Sequence, residues 1–233
     1  AARQDCRPLR HTVRYSFNNQ RPQDTLNMKR TLILFPVLLT VVMLFTLSCA
    51  ETKETDDHAN WKERNTDFIN NIAANCGNAD PESATEGQSF RLLSFKLDPD
   101  ADWGNSGYVY CYVLKKGTDT ISPNYTDSVR INYRVRLIPT DNYPEGQVVD
   151  QSFKTDNLDP TVNIPYSFRV SGLIEGVTTA LMHMHCGDYW KLYIPYGMAY
   201  GTSDKGTIPA YSALIFEINL TETARTGQSL SPR

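Results

Sequence analysis

Apolar residues along this 233-residue chain fall into three patterns. The first is a nearly solid run from Leu32 to Leu47. It is shorter than the ~20 residues a membrane-spanning helix needs, and it contains Pro36. The second pattern has helical spacing. Trp61, Phe68, Ile69 and Ile72 recur on one face between His58 and Cys76, before Gly77 as a stop, and predict a short amphipathic helix. Leu173, Ile174, Val177, Leu181 and Met184 also share a face and predict a helix over 173–184. The third pattern is a set of short β-branched and aromatic runs: Tyr108 to Leu114, Val129 to Leu137 and Leu214 to Leu220, with a further candidate strand at Phe90 to Leu97. Gly117, Pro123, Pro139, Pro144-Glu145-Gly146 and Pro160 punctuate these runs as turns. Several strands with one central helix predict an α+β fold, and no internal repeat is present.

Charge divides the chain. Residues 1–27 hold five Arg against two Asp, whereas 49–233 carry 16 basic and 24 acidic residues. An acidic chain of this kind lacks the Lys and Arg that neutralise phosphates, so no nucleic-acid partner is expected. The apolar run is preceded by Met28, Lys29 and Arg30 and followed by Ser48 and Cys49, the layout of a secretion signal. Leu47-Ser48-Cys49 resembles a bacterial lipobox, in which the Cys49 thiol is acylated and becomes the mature N-terminus, although Thr46 departs from the usual aliphatic residue. The expected organisation is then a gene-model extension (1–27), a signal peptide (28–48), an acidic tether (49–57), a helical extension and connector (58–107), a sheet domain (108–221) and a disordered tail (222–233). The acidic run after Cys49 resembles surface-export signals of Bacteroidetes lipoproteins, and the absence of Asp at position 50 resembles outer-membrane sorting. An outer-membrane lipoprotein facing the periplasm or the cell surface is expected.

Candidate chemistry is sparse. His183 and Cys186 can share a helix face while His185 points elsewhere, which is no metal set, and the chain has neither a His-Glu-x-x-His nor a Cys-x-x-Cys motif. No metal or other cofactor is expected. A Gly-x-Ser-x-Gly elbow is missing as well. With Cys49 lipidated, Cys76, Cys111 and Cys186 remain, an odd number, so a disulfide framework does not hold this fold.

An ordered series of motifs carries more information. Leu173-Ile174-Glu175-Gly176-Val177, Met184-His185-Cys186-Gly187-Asp188, Ile194-Pro195, Ala199-Tyr200-Gly201, Ile208-Pro209-Ala210 and Leu214-Ile215-Phe216-Glu217-Ile218 resemble the FKBP-type peptidyl-prolyl isomerases in order and spacing. The resemblance implies a strongly bent antiparallel sheet wrapped around one short helix. A preceding helical segment mediates dimerisation in larger relatives; here it is short and is expected to pack against its own domain. The resemblance also implies an isomerase of X-Pro bonds that assists folding of exported proteins.

Carried over by position, the resemblance makes Asp150 and Tyr200 the catalytic polar pair, with Tyr200 holding a ligand carbonyl and Asp150 at the rim. Tyr133, Val149, Tyr166, Leu173, Ile174, Val177, Ile208 and Phe216 would line the substrate cleft. Val149 and Val177 stand where the family commonly has Phe and Trp, which implies a weakened or altered isomerase. The implied partners are proline-containing polypeptides, macrolide inhibitors and a membrane through the lipid anchor. The alternative is a peptide-binding or chaperone module that uses the same cleft without turning the bond.

Overall fold

The computed structural model describes residues 56–159 and 162–232. The extension, the signal segment, Cys49 and most of the tether lie outside the described residues. Asp56 and Asp57, expected to end the tether, instead belong to the approach to the first helix: the Asp57 carboxylate accepts hydrogen bonds from Asn142 Nδ2 at 2.9 and 3.0 Å.

Helix α1 (Trp61–Asn75) starts after Asn60, which sits in the left-handed region at φ 52°. Its buried stripe is Trp61, Asn65 and Ile69, spaced four apart, so the centre of the packed face is an amide rather than a hydrocarbon. Seven strands follow among the described residues: β1 (Ser89–Leu93), β2 (Tyr108–Lys115), β3 (Ser128–Arg136), β4 (Val148–Gln151), β5 (Tyr166–Arg169), β6 (Tyr189–Ile194) and β7 (Leu214–Ala224). They form one antiparallel sheet in the order β1-β2-β6-β7-β3-β4, with β5 paired to β3. Helix α2 (Glu175–Leu181) lies across it. This is the α+β arrangement expected.

The core sits between α2 and the sheet. Val177, Ala180 and Leu181, with Met184 beyond the helix end, belong to the same buried cluster as Val109, Trp190, Leu192, Ile194, Ile218 and Leu220. The approach is close. A Cβ added at Gly176 would stand 2.4 Å from Ile194 Cγ2 and 3.1 Å from two more Ile194 carbons. Helix backbone at Gly176 therefore packs directly on the Ile194 side chain at the end of β6.

Three expectations need correction. The helix over 173–184 is shorter: Val170–Gly172 form a 3₁₀ turn, Leu173 is extended, and Ile174 caps α2 with φ −62° and ψ 150°. Periodicity could not see this, because both apolar residues face the same hollow from an extended backbone. The sheet domain does not begin at 108. β1 pairs with β2 along its whole length, and Phe90 meets Trp190 edge-on at 5.1 Å. The turn after β1 also grips α2, since Ser94 Oγ donates to Glu175 and Lys96 Nζ lies 2.9 Å from the other Glu175 oxygen.

The tail is structured rather than disordered from 222. β7 runs to Ala224, and Arg225 donates to the buried Asp127 carboxylate at 2.6 Å. Burial alone would raise the Asp127 pKa, but N–H groups of Asn124 and Thr226 and the Arg225 guanidinium outweigh it and hold the carboxyl below its usual range. Ser231 returns to Arg130, whose guanidinium donates to its carbonyl at 2.8 Å.

Gly176→Ala is expected to destabilise the protein. Ala gains about 1 kcal/mol of helix propensity, but its methyl would overpack against the fully buried Ile194 by about 1–3 kcal/mol. Chemical denaturation should show a net loss, and a gain would show that α2 can lift off the sheet freely.

Candidate active site

Six segments enclose a hollow of about 570 Å³ at one end of α2. Ile131, Tyr133 and Val135 alternate along the inner face of β3, and Phe216 of β7, opposite Val135, continues that surface. Phe168 comes from β5. Leu173, Ile174 and Val177 descend from the link into α2, while Tyr200 and Ile208 enter from the loop after β6. Ile208 is held by a tight reciprocal pair of backbone bonds with Lys205, at 2.8 and 3.0 Å.

Strand β4 contributes two neighbours, Val149 and Asp150, to the same hollow. Consecutive strand residues ordinarily face opposite sides. Here Asp150 pairs with Val135 and Val148 with Arg136, so Val149 is the extra residue of a β-bulge that turns both side chains inward. Gly146 sets up the approach: at φ 83°, with a Cβ position 2.1 Å from the Leu137 carbonyl oxygen, only glycine fits there.

The hollow is mostly hydrocarbon with a few polar groups at its mouth. Tyr133 donates its hydroxyl to Asp150 Oδ2 at 3.0 Å. Burial, then this hydrogen bond and the Asp150 charge, raise the Tyr133 pKa well beyond the ordinary phenol value. Burial, helped by Asp150, likewise raises that of Tyr200. Both phenols therefore remain donors at neutral pH. Tyr133 spends its proton on Asp150, whereas the Tyr200 hydroxyl forms no hydrogen bond among the described residues and is 38% exposed at the mouth.

Nine of the ten residues assigned from sequence line this hollow, and Tyr166 does not. It stands on the outer rim, 53% exposed, with its ring 6.4 Å from that of Tyr133. The wall position belongs to Phe168, two residues on along the same face of β5, with its ring 5.8 Å from Tyr133. Sequence reasoning also missed Ile131, Val135 and the segment Lys205–Thr207. The period of two about Tyr133 would have found the first two. The loop carries no such signal.

His183 and His185 lie away from the hollow. Their nitrogens stand 3.8 and 3.7 Å from the two Glu82 oxygens, beyond hydrogen-bond distance. No group of three or more His, Cys, Asp or Glu able to hold a metal occurs among the described residues.

Residues 119–221 match the profile of the FKBP-type peptidyl-prolyl cis-trans isomerases. Over this segment the chain is similar to the FKBP family. The domain is 36% identical over 123 residues to the Macrophage infectivity potentiator of Trypanosoma cruzi, covering 52% of this chain and 56% of that one. It is 37% identical over 111 residues to the FKBP-type 22 kDa peptidyl-prolyl cis-trans isomerase of Escherichia coli, covering 47% of each. A third relative, the Outer membrane protein MIP of Legionella longbeachae, is 32% identical over 140 residues, covering 60% of this chain and 53% of that one. The chain thus spans about half the length of the curated relatives it matches. Val149 and Val177 both border the hollow with short side chains.

The polar rim and the packed floor should separate energetically. Tyr133→Phe removes one part-exposed hydrogen bond and is expected to cost about 1 kcal/mol or less, whereas Phe216→Ala empties a buried wall and is expected to cost about 3–5 kcal/mol. Urea melts of both variants test this, and similar losses would show that the rim bond holds the fold together.

Proposed function

We propose that the cleft catalyses cis-trans isomerisation of X-Pro bonds in polypeptides, as an FKBP-type isomerase that assists folding of exported proteins. An X-Pro amide prefers trans by only about 0.5–1 kcal/mol, yet rotation must break the resonance that keeps the bond planar. No nucleophile or metal is required. Twisting the amide weakens its carbonyl dipole, so a hollow poor in water disfavours the planar form relative to the twisted one.

In this reading the proline ring enters the space among Ile131, Phe168, Ile174, Val177 and Phe216. The Tyr200 hydroxyl donates to a peptide carbonyl at the mouth and keeps that half of the amide still while the other half turns. Asp150, fixed by Tyr133, orders the rim opposite. The observation that carries the reading is an apolar hollow whose mouth offers one phenol with its proton uncommitted.

A protease-coupled assay on a proline peptide with the purified full chain tests the proposal. The parent should exceed the uncatalysed rate, and Tyr200→Phe and Asp150→Ala should each lower kcat/KM about tenfold while remaining folded. Because Val149 and Val177 leave the hollow short of two rings, the alternative is a module that holds apolar proline segments without turning them. Background turnover with intact peptide binding would establish that alternative.

We further propose that the domain is tethered in the envelope by a lipid on Cys49, as an outer-membrane lipoprotein. The basic start and apolar run of 28–47 support this, as does the name of the Legionella longbeachae relative. Cys49→Ala should move the protein from the membrane to the soluble fraction of fractionated cells. Unchanged membrane association would refute the lipid anchor.

A further inference from the structure

No residue of helix α1 lines the hollow, yet Trp61, Lys62 and Asn65 grip three consecutive residues of a loop. Lys62 Nζ lies over the Tyr211 ring at 5.0 Å. Trp61 Nε1 donates to Ser212 Oγ at 2.8 Å, and Asn65 Oδ1 accepts the Ala213 N–H at 2.8 Å. These bonds are shielded from water: Asn65 is fully buried, and Trp61 and Ser212 are nearly so. Asn65 is committed on both sides, since its Nδ2 donates to the Trp61 carbonyl at 2.6 Å. A leucine would bury more hydrocarbon there. An amide satisfied at both ends specifies position instead.

The gripped corner is strained, and it adjoins the cleft wall on both sides. Tyr211 has φ 63°, a left-handed backbone that a bulky side chain seldom adopts and that persists only where its surroundings enforce it. Its N–H donates to the Gly201 carbonyl at 2.9 Å, one residue after Tyr200. Its ring packs edge-on against Tyr196 at 5.3 Å, and the Tyr196 carbonyl accepts the Gly201 N–H at 2.8 Å. In the other direction Ser212 Oγ donates to the Pro209 carbonyl at 2.6 Å, and Pro209 follows Ile208 directly. Tyr200 and Ile208 both border the hollow.

We propose that α1 is a positioning element of the cleft: Trp61, Lys62 and Asn65 hold the strained corner 211–213, and the corner in turn fixes Tyr200 and Ile208. The kinetic consequence rests on the isomerase reading above, while the mechanical one does not. The N-terminal helix therefore acts on peptide affinity through the loop and not only on stability.

The test uses the full chain with Trp61→Phe, Asn65→Leu and Ser212→Ala. Ser212→Thr restores the hydroxyl, and Asn142→Ala loosens the lead into α1 at Asp57 without touching the corner. Backbone amide exchange at Gly201 and Ile208, neither of which α1 contacts through a hydrogen bond, should accelerate about tenfold in the first three variants and stay at the parent rate in the last two. In the proline-peptide assay KM should rise about three- to tenfold in the same three. Partial unfolding alone would lower apparent kcat and leave KM unmoved. Unchanged exchange at both amides, or faster exchange with KM within about twofold of the parent, would overturn the proposal. If the parent turns over no peptide, the isomerase reading fails separately, and exchange at the two amides alone upholds or rejects the positioning role.

Discussion

The contact on which the cleft depends is the one between α2 and β6, where the Gly176 backbone meets the Ile194 side chain with no Cβ of its own. Helices ordinarily stand about 10 Å from a sheet, separated by a layer of side chains. At Gly176 the helix backbone packs directly on the Ile194 side chain. Ile174 and Val177, on either side of the glycine, then reach the hollow that Ile131, Tyr133 and Val135 line from below. A larger residue at 176 would raise this end of the helix and open the hollow to water.

A hollow of this kind must be walled by apolar residues yet not filled by them, a state that protein interiors resist because close packing is favourable. Three local devices keep it open. The bulge at Val149 turns a short side chain and a carboxylate toward the space where a regular strand would send one of them away. Val177 contributes only a short side chain to the wall. Tyr200 and Ile208 hang on a loop braced from outside by α1, so they cannot collapse inward without breaking buried hydrogen bonds.

The electrostatics agree with chemistry that uses no ionised group. Both phenols at the mouth are pushed toward their protonated form, chiefly by burial and also by Asp150. Burial is the larger cause for both phenols and Asp150 adds to it, while Tyr133 donates to the Asp150 carboxylate. The result is a rim with one immobilised acceptor and one available donor around a water-poor interior.

Much of this was legible in the residue order. The alternating β-branched runs and the five apolar positions on one face at 173–184 determine the α+β class, because periods of two and 3.6 are local properties of the backbone. The ten cleft residues came instead from the resemblance in motif order, and nine of them line the hollow. The exchange of Tyr166 for Phe168 was not legible, since both share a face of β5 and a period of two does not tell one from the other. Nor were the early start of the sheet at Ser89 and the return of the tail, both of which rest on partners far along the chain, such as Phe90 with Trp190 and Arg225 with Asp127. The buried amide of Asn65 is the sharpest case. A hydropathy pattern scores it as a defect in the apolar face of α1, and only the three-dimensional meeting with Ala213, 148 residues away, turns it into a fixed point of the cleft.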